Sequence, residues 1–161
     1  MAGGKSRRLG RDKAELLYKN KPLLDHAIDL LSACHLNKTI ILGRAHPLGI
    51  ADPLPDAGPA ANLKSWINAQ PHPVHLTVIP VDMPLLRLVQ INALRTTPTG
   101  GYFDDLYLPF AATVTHPVVG TILRMKDLLS ALALPKVSVP PHWQNALGNF
   151  NTAEDFQRLT K

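Results

Sequence analysis

The chain has 161 residues and a mass of 17.6 kDa, with 45% hydrophobic and 18% charged residues; this balance predicts one globular domain over 1–161 and excludes a disordered chain. No apolar run reaches the roughly 18–20 residues of a membrane span, no apolar stretch follows the basic N-terminus as a secretory signal requires, and the single Cys34 suits a reducing, cytoplasmic setting. The net charge of +5 is local: residues 1–22 hold seven basic and two acidic side chains, whereas the rest of the chain balances ten against ten. One electropositive segment is therefore expected to face an anion.

In chain order, residues 22–34 place Leu23, Leu24, Ala27, Ile28, Leu31 and Cys34 at helical spacing, with Pro22 suited to the first turn. Residues 38–42, KTIIL, read as a short strand buried on both faces. A loop rich in Pro, Gly and Asp spans 43–59, and a helix follows at 60–69 with Leu63, Trp66 and Ile67 on one side. HLTVIPVDMP at 75–84 reads as a second buried strand ending in Asp-Met-Pro, followed by a helix at 86–95 and a turn at 96–101. Residues 102–114 predict a strand pair bent around Asp104-Asp105, 117–134 a long helix, and 136–140 a short strand. Thr152, three residues before Asp155, predicts the cap of a terminal helix. Strands alternating with helices predict an α/β fold with a mostly parallel sheet.

The opening stretch, AGGKSRRLGRDK, carries the chemistry. Gly3 and Gly4 let the backbone approach a phosphate and turn its N–H groups inward, Gly10 permits a second turn, Ser6 adds a hydroxyl donor and Lys13 supplies a point charge. The GGKS within it is not a Walker A loop, because the glycine that motif needs five positions before Gly4 falls ahead of residue 1. Taken singly, Lys13 and Arg8 equally describe solvated surface charges, and Asp82 equally describes a turn residue before Pro84. The seven His are scattered without zinc-ligand spacing.

As a set, MAGGKSRRLGRDKAELL and KPLLDHAIDLL resemble the nucleotide-binding signature of the molybdenum cofactor guanylyltransferases, whose opening reads approximately L-A-G-G-x-S-x-R-M-G-x-D-K. Further stretches resemble that family in the right order: DPLPDAGPAANL stands where it has an Asp and then G-P-L-A-G, IPVDMPLL where it has P-x-D-x-P, YLPFAATV where it has a P-L-F-A sheet segment, and NFNTAEDF where it has N-x-N-T-P-E. The resemblance spans nearly the whole chain. It implies a Rossmann-like three-layer nucleotidyltransferase fold that moves GMP from GTP to the phosphate of molybdopterin, releases pyrophosphate and depends on Mg2+. By the same resemblance Met1, Ala2, Gly3 and Gly4 would line the nucleotide, Lys13 would contact its phosphates, and Arg8 sits at the signature arginine. Asp52 matches a nucleotide-contacting Asp, with Asp56 as its competitor; Asp82 would hold Mg2+; Asn149 and Asn151 match asparagines near the pterin end. The implied partners are GTP, molybdopterin and, transiently, cofactor-delivery proteins, with no nucleic acid and no membrane.

Three positions depart from the family pattern. Gly58-Pro59-Ala60-Ala61-Asn62 loses the second glycine of G-P-L-A-G, which leaves guanine selectivity open, and Ala153 replaces a Pro. The family also carries a hydrophobic strand ahead of L-A-G-G, central in its sheet, that this sequence lacks; its loss would strip ladder hydrogen bonds from the neighbours and open an edge. The expectation is that the true start lies upstream of Met1. Three other readings stay in view: a related transferase using CTP or a cobinamide phosphate acceptor, a non-catalytic nucleotide-binding accessory protein, and nucleic-acid binding through residues 5–21. Sparse aromatics and a neutral remainder count against the last.

Overall fold

The computed structural model describes residues 12–160. A 3-10 turn at Lys13–Glu15 leads into a small hairpin of β1 (Leu17–Tyr18) and β2 (Lys21–Pro22), and α1 (Leu23–Ala33) starts directly behind Pro22. Next come β3 (Ile41–Leu42), the parallel β4 (Gly49–Ile50), α2 (Gly58–Asn68), β5 (Val74–Val78) and α3 (Leu88–Arg95). The chain closes with β6 (Gly100–Phe103), β7 (Phe110–Val114), α4 (Met125–Ala131), β8 (Lys136–Val137), a 3-10 turn at Pro141–Trp143 and α5 (Ala153–Thr160).

The main sheet runs in the order β5-β7-β6-β8. Its residues alternate between two cores, as the period of a strand requires. Phe110, Ala112 and Val114 of β7 pack with Leu63 and Ile67 of α2 and with Leu128 and Leu129 of α4. Ala111, between them, joins Ile91 and Leu94 of α3 and Phe103 of β6 in the second core. Helices thus cover both faces, and the three-layer α/β expectation holds. Each fully buried Leu, Ile or Phe contributes about 1.5–3 kcal/mol. Gly100 is fixed by close approach: a Cβ there would meet the carbonyl oxygen of Ala111 at 2.1 Å, and its φ is +88°.

Strands β5, β6 and β8 run in one direction, as a mostly parallel sheet requires; β7 alone returns from β6 through residues 104–109 and runs antiparallel to both β6 and β5. One sequence expectation is corrected: 117–134 is not one long helix, and only Met125–Ala131 is helical. The cause is local. The side-chain amide of Asn68 donates to the Val118 carbonyl at 2.9 Å and accepts from the Val118 N–H at 2.7 Å, and Gly120 takes a φ of +81°. Helix α4 starts only where the Asp127 carboxylate accepts the Arg124 N–H at 3.0 Å.

Between β3 and β5 the sheet is divided. Among the described residues β5 pairs only with β7, and β3 only with β4. A cavity of about 430 Å3 separates them, lined by residues 74–79 on one side and by 37–40 with Leu42 on the other. Side chains alternate across a strand, so an unbroken run of six lining residues is an edge facing the cavity, not a face. The strand expected ahead of Met1 lies outside the described residues.

Candidate functional site

The site is built on the turn that opens the described chain. Asp12 is extended (φ −67°, ψ 124°), and its Oδ1 accepts the Ala14 N–H at 2.9 Å, which caps the 3-10 turn. Ala14 is buried and wedges the turn against Leu24 and Ile41. With the turn so oriented, Lys13 reaches across to a carboxylate 69 residues away: Nζ donates to Asp82 Oδ2 at 2.9 Å. It also donates to the Phe150 carbonyl at 2.5 Å and, more weakly, to Asn151 Oδ1 at 3.4 Å, with the Phe150 ring centroid 4.9 Å away. Three acceptors for three ammonium protons is a complete set. The Lys13 and Asp82 side chains are 17% and 22% exposed, so this pair is open to solvent on one side and still shielded enough to matter.

Each partner is held by its own element. Asp82 follows β5 and directly precedes a turn that Met83 and Leu86 anchor in the second core and that the Leu86 N–H closes on the Met83 carbonyl at 3.2 Å. Phe150 is fully buried, its ring 4.8 Å from that of Phe156. Asn151 sits on the cap of α5: its N–H and that of Thr152 both donate to Asp155 Oδ2, at 3.3 and 3.2 Å, and the Asp155 N–H returns to Thr152 Oγ1 at 3.0 Å. The Thr152 cap expected from the sequence is therefore present, and it sets the residue beside Lys13. The Asn151 N–H bond, with the Thr152 hydroxyl next, holds the Asp155 carboxyl below the ordinary carboxylate value.

A divalent metal fits this chemistry. A cation, Nζ, already sits among a carboxylate, a carbonyl and an amide oxygen, and hard oxygens are the ligands Mg2+ takes, usually one or two carboxylates with waters and substrate phosphates. Among the described residues no group of three His, Cys, Asp or Glu side chains could bind a metal, so Asp82 would need the substrate's own oxygens.

Of the residues expected from the sequence, the structure brings together Lys13, Asp82 and Asn151. Asn149 is nearby in sequence, exposed, and has no side-chain hydrogen bond or ion pair among the described residues. Asp52 is exposed in the loop ahead of α2 and likewise makes none, and Asp56, its competitor, takes a φ of 61°. Met1, Ala2, Gly3, Gly4 and Arg8 lie outside the described residues. Arg44, at the site's margin, carried no weight in the sequence, and Asn62 of α2 carried weight only as a missing glycine. Arg44, two positions beyond β3, donates to the carboxylates of Asp12 and of Glu15, the latter at 2.6 Å. The signal for it was place alone: a cation at the carboxyl end of a strand in an α/β sheet. Asn62 looked like a lost glycine. It is 2% exposed, accepts the Leu54 N–H at 2.7 Å, and donates to the carbonyls of Leu54 at 3.0 Å and Gly58 at 3.1 Å, folding the loop back onto α2.

Helices on both faces of a sheet, with charged side chains gathered beyond the carboxyl ends of its strands, define the nucleotide-handling class of α/β folds. The comparisons specify it. The profile of the MobA-like NTP transferase domain matches residues 1–137. The chain is 32% identical over 172 residues to the molybdenum cofactor guanylyltransferase of Xanthomonas euvesicatoria pv. vesicatoria, covering 99% of this chain and 91% of that protein. It is 26% identical to a probable molybdenum cofactor guanylyltransferase of Pyrococcus horikoshii, over 99% and 96% of the two chains. Its fold is similar to the crystal structure of molybdopterin-guanine dinucleotide biosynthesis protein A from Archaeoglobus fulgidus, with a TM-score of 0.67 over 99% of this chain and 94% of that one at 16% identity. The chain belongs to the MobA-like NTP transferase family and is thus a nucleotidyltransferase.

Proposed function

We propose that this chain transfers the GMP moiety of GTP to the phosphate of molybdopterin, with Mg2+, and releases pyrophosphate. The observation that carries the reading is the Lys13–Asp82 pair at 2.9 Å, joined by Asn151, at the carboxyl end of β5. The names of the similar proteins from Xanthomonas and Pyrococcus support the substrate class. An oxygen of the acceptor phosphate attacks the α-phosphorus of GTP; that P–O bond forms as the α–β bridging P–O bond breaks, and the bridging oxygen leaves with pyrophosphate. Such chemistry asks the protein mainly for position and counter-charge. Lys13 gives its ammonium to the triphosphate, and Asp82, together with oxygens of the substrate phosphates, would hold the metal. Bound there, Mg2+ would neutralise phosphate charge as it develops. In this reading Asp52 and residues Met1 to Gly4 with Arg8 face the nucleotide, and Asn149 with Asn151 faces the pterin end.

A thermal-shift titration with GTP, CTP and ATP, each with and without Mg2+, tests it. At 100 times its Kd, GTP with Mg2+ is expected to raise Tm by roughly 5–10 °C. A larger shift with CTP moves the assignment to cytidylyl transfer; no shift with any nucleotide overturns the reading. Pyrophosphate release with GTP and molybdopterin then separates an enzyme from an accessory binder.

A further inference from the structure

The turn that carries Lys13 is capped by Asp12 and wedged by buried Ala14, but neither contact ties its exit at Glu15. A 3-10 turn of three residues has strained hydrogen bonds, and this one closes with N–H to carbonyl distances of 3.1 Å from Glu15 to Asp12 and 3.2 Å from Leu16 to Lys13. Arg44 supplies what is missing. Its Nη1 donates to Asp12 at the entrance of the turn and its Nη2 to Glu15 at the exit, so one planar fork clasps both ends. The same Asp12 carboxylate caps Ala14 through its other oxygen. Burial lowers the Arg44 pKa, but the Glu15 hydrogen bond and the charge and hydrogen bond of Asp12 outweigh it, so the net direction is up and the cation is secure. The Arg44 side chain is 20% exposed, whereas Asp12 and Glu15 are 39% and 69% exposed, so the Asp12 arm is the better shielded of the two.

We infer that Arg44 is a positioning residue: it fixes the turn from which Lys13 projects and acts on nucleotide only through Lys13. The inference rests on the reading of Lys13 as a triphosphate contact. A lysine at 44 would carry the same charge without the fork, and so would hold one carboxylate, not two.

Two measurements on the full chain decide it. The first is amide hydrogen exchange at residues 14–16 with no nucleotide. Protection there is expected to fall about tenfold in Arg44→Met and by less in Glu15→Ala, which removes one arm only; unchanged protection in both variants overturns the inference. The second is a double-mutant cycle on the Kd of GTP with Mg2+. Arg44→Met is expected to weaken binding about tenfold in the native background and less than about twofold in Lys13→Met, with Arg44→Lys recovering only part of the loss. An equal loss in both backgrounds shows that Arg44 touches the ligand or merely supports the fold, and overturns the inference. Failure of the native chain to bind GTP defeats the proposed function instead, and the exchange measurement still judges the clasp.

Discussion

Strands β3 and β5 meet the rest of the molecule in two opposite ways. Beyond their carboxyl ends they are laced together by consecutive residues: Asp12 is bound by Arg44, two residues past β3, and Lys13 is bound to Asp82, four residues past β5. There, each charge faces an opposite one and each ammonium proton an oxygen. Along their lengths the same strands face a cavity of about 430 Å3 and, among the described residues, pair only outward, β3 with β4 and β5 with β7. The charged end is satisfied by side chains that sequence-distant loops deliver, while the apolar edge depends on backbone partners that only another strand supplies. Polar convergence and sheet continuity are therefore separable properties of this fold. A change at one is expected to leave the other largely intact.

The sharpest break is Lys13→Met. It removes the counter-charge proposed for the triphosphate, and kcat/KM for GTP is expected to fall about 10²–10³-fold, the cost of losing one preorganised electrostatic contact. Amide exchange along β5 is expected to stay as in the native chain. Loss of β5 protection in this variant would show that the lacing holds the strands apart as well as the site together.

Asn62→Ala comes next and acts between the two regions, because Asn62 ties the loop ahead of α2 while Leu63 and Trp66 of the same helix line the cavity. It strips a backbone N–H and two carbonyls of their partner, for about 1–3 kcal/mol of destabilisation. Chemical denaturation measures it. A native midpoint would mean that water replaces the amide at no cost.

What the sequence made legible divides along the same line. Helices α1, α2 and α3 followed from apolar spacing because each buries one stripe on a sheet face. Lys13, Asp82 and Asn151 were legible as members of ordered motifs, though nothing in their spacing said that 69 and 138 residues would close to hydrogen-bond distance. Arg44 was not legible, since its partners lie 29 and 32 residues earlier and no pattern links them. Asn62 was legible only as the loss of a glycine; the backbone groups its amide satisfies are not visible in a sequence. The 117–124 segment failed as a helix because apolar period alone does not register the Asn68 amide or the left-handed Gly120.

The edge of β5 that has no partner among the described residues predicts an exchange pattern within one strand. In an antiparallel pair, alternate residues direct their N–H groups to the partner and the rest direct theirs away. Within residues 74–78, amides turned toward β7 are expected to be protected about 10²-fold or more over their neighbours turned toward the cavity. Uniform protection along β5 would mean that the edge is covered in solution.

The smallest effect belongs to the outer brace of the charged end, and its sign follows from Asp155. Hydrogen bonds from the Asn151 N–H first, then the Thr152 hydroxyl, lower its carboxyl pKa in the folded chain. A depressed carboxyl contributes its stability above its unfolded value, about 3.9, and loses it as pH falls through the lower folded value. Protection of the Asn151 and Thr152 amides is therefore expected to be constant from neutral pH down to about pH 4 and to decline below it. Asp155→Asn should flatten that profile, because the amide keeps an acceptor but no longer titrates. A decline that persisted in Asp155→Asn would show that this carboxylate does not set the stability of the α5 cap.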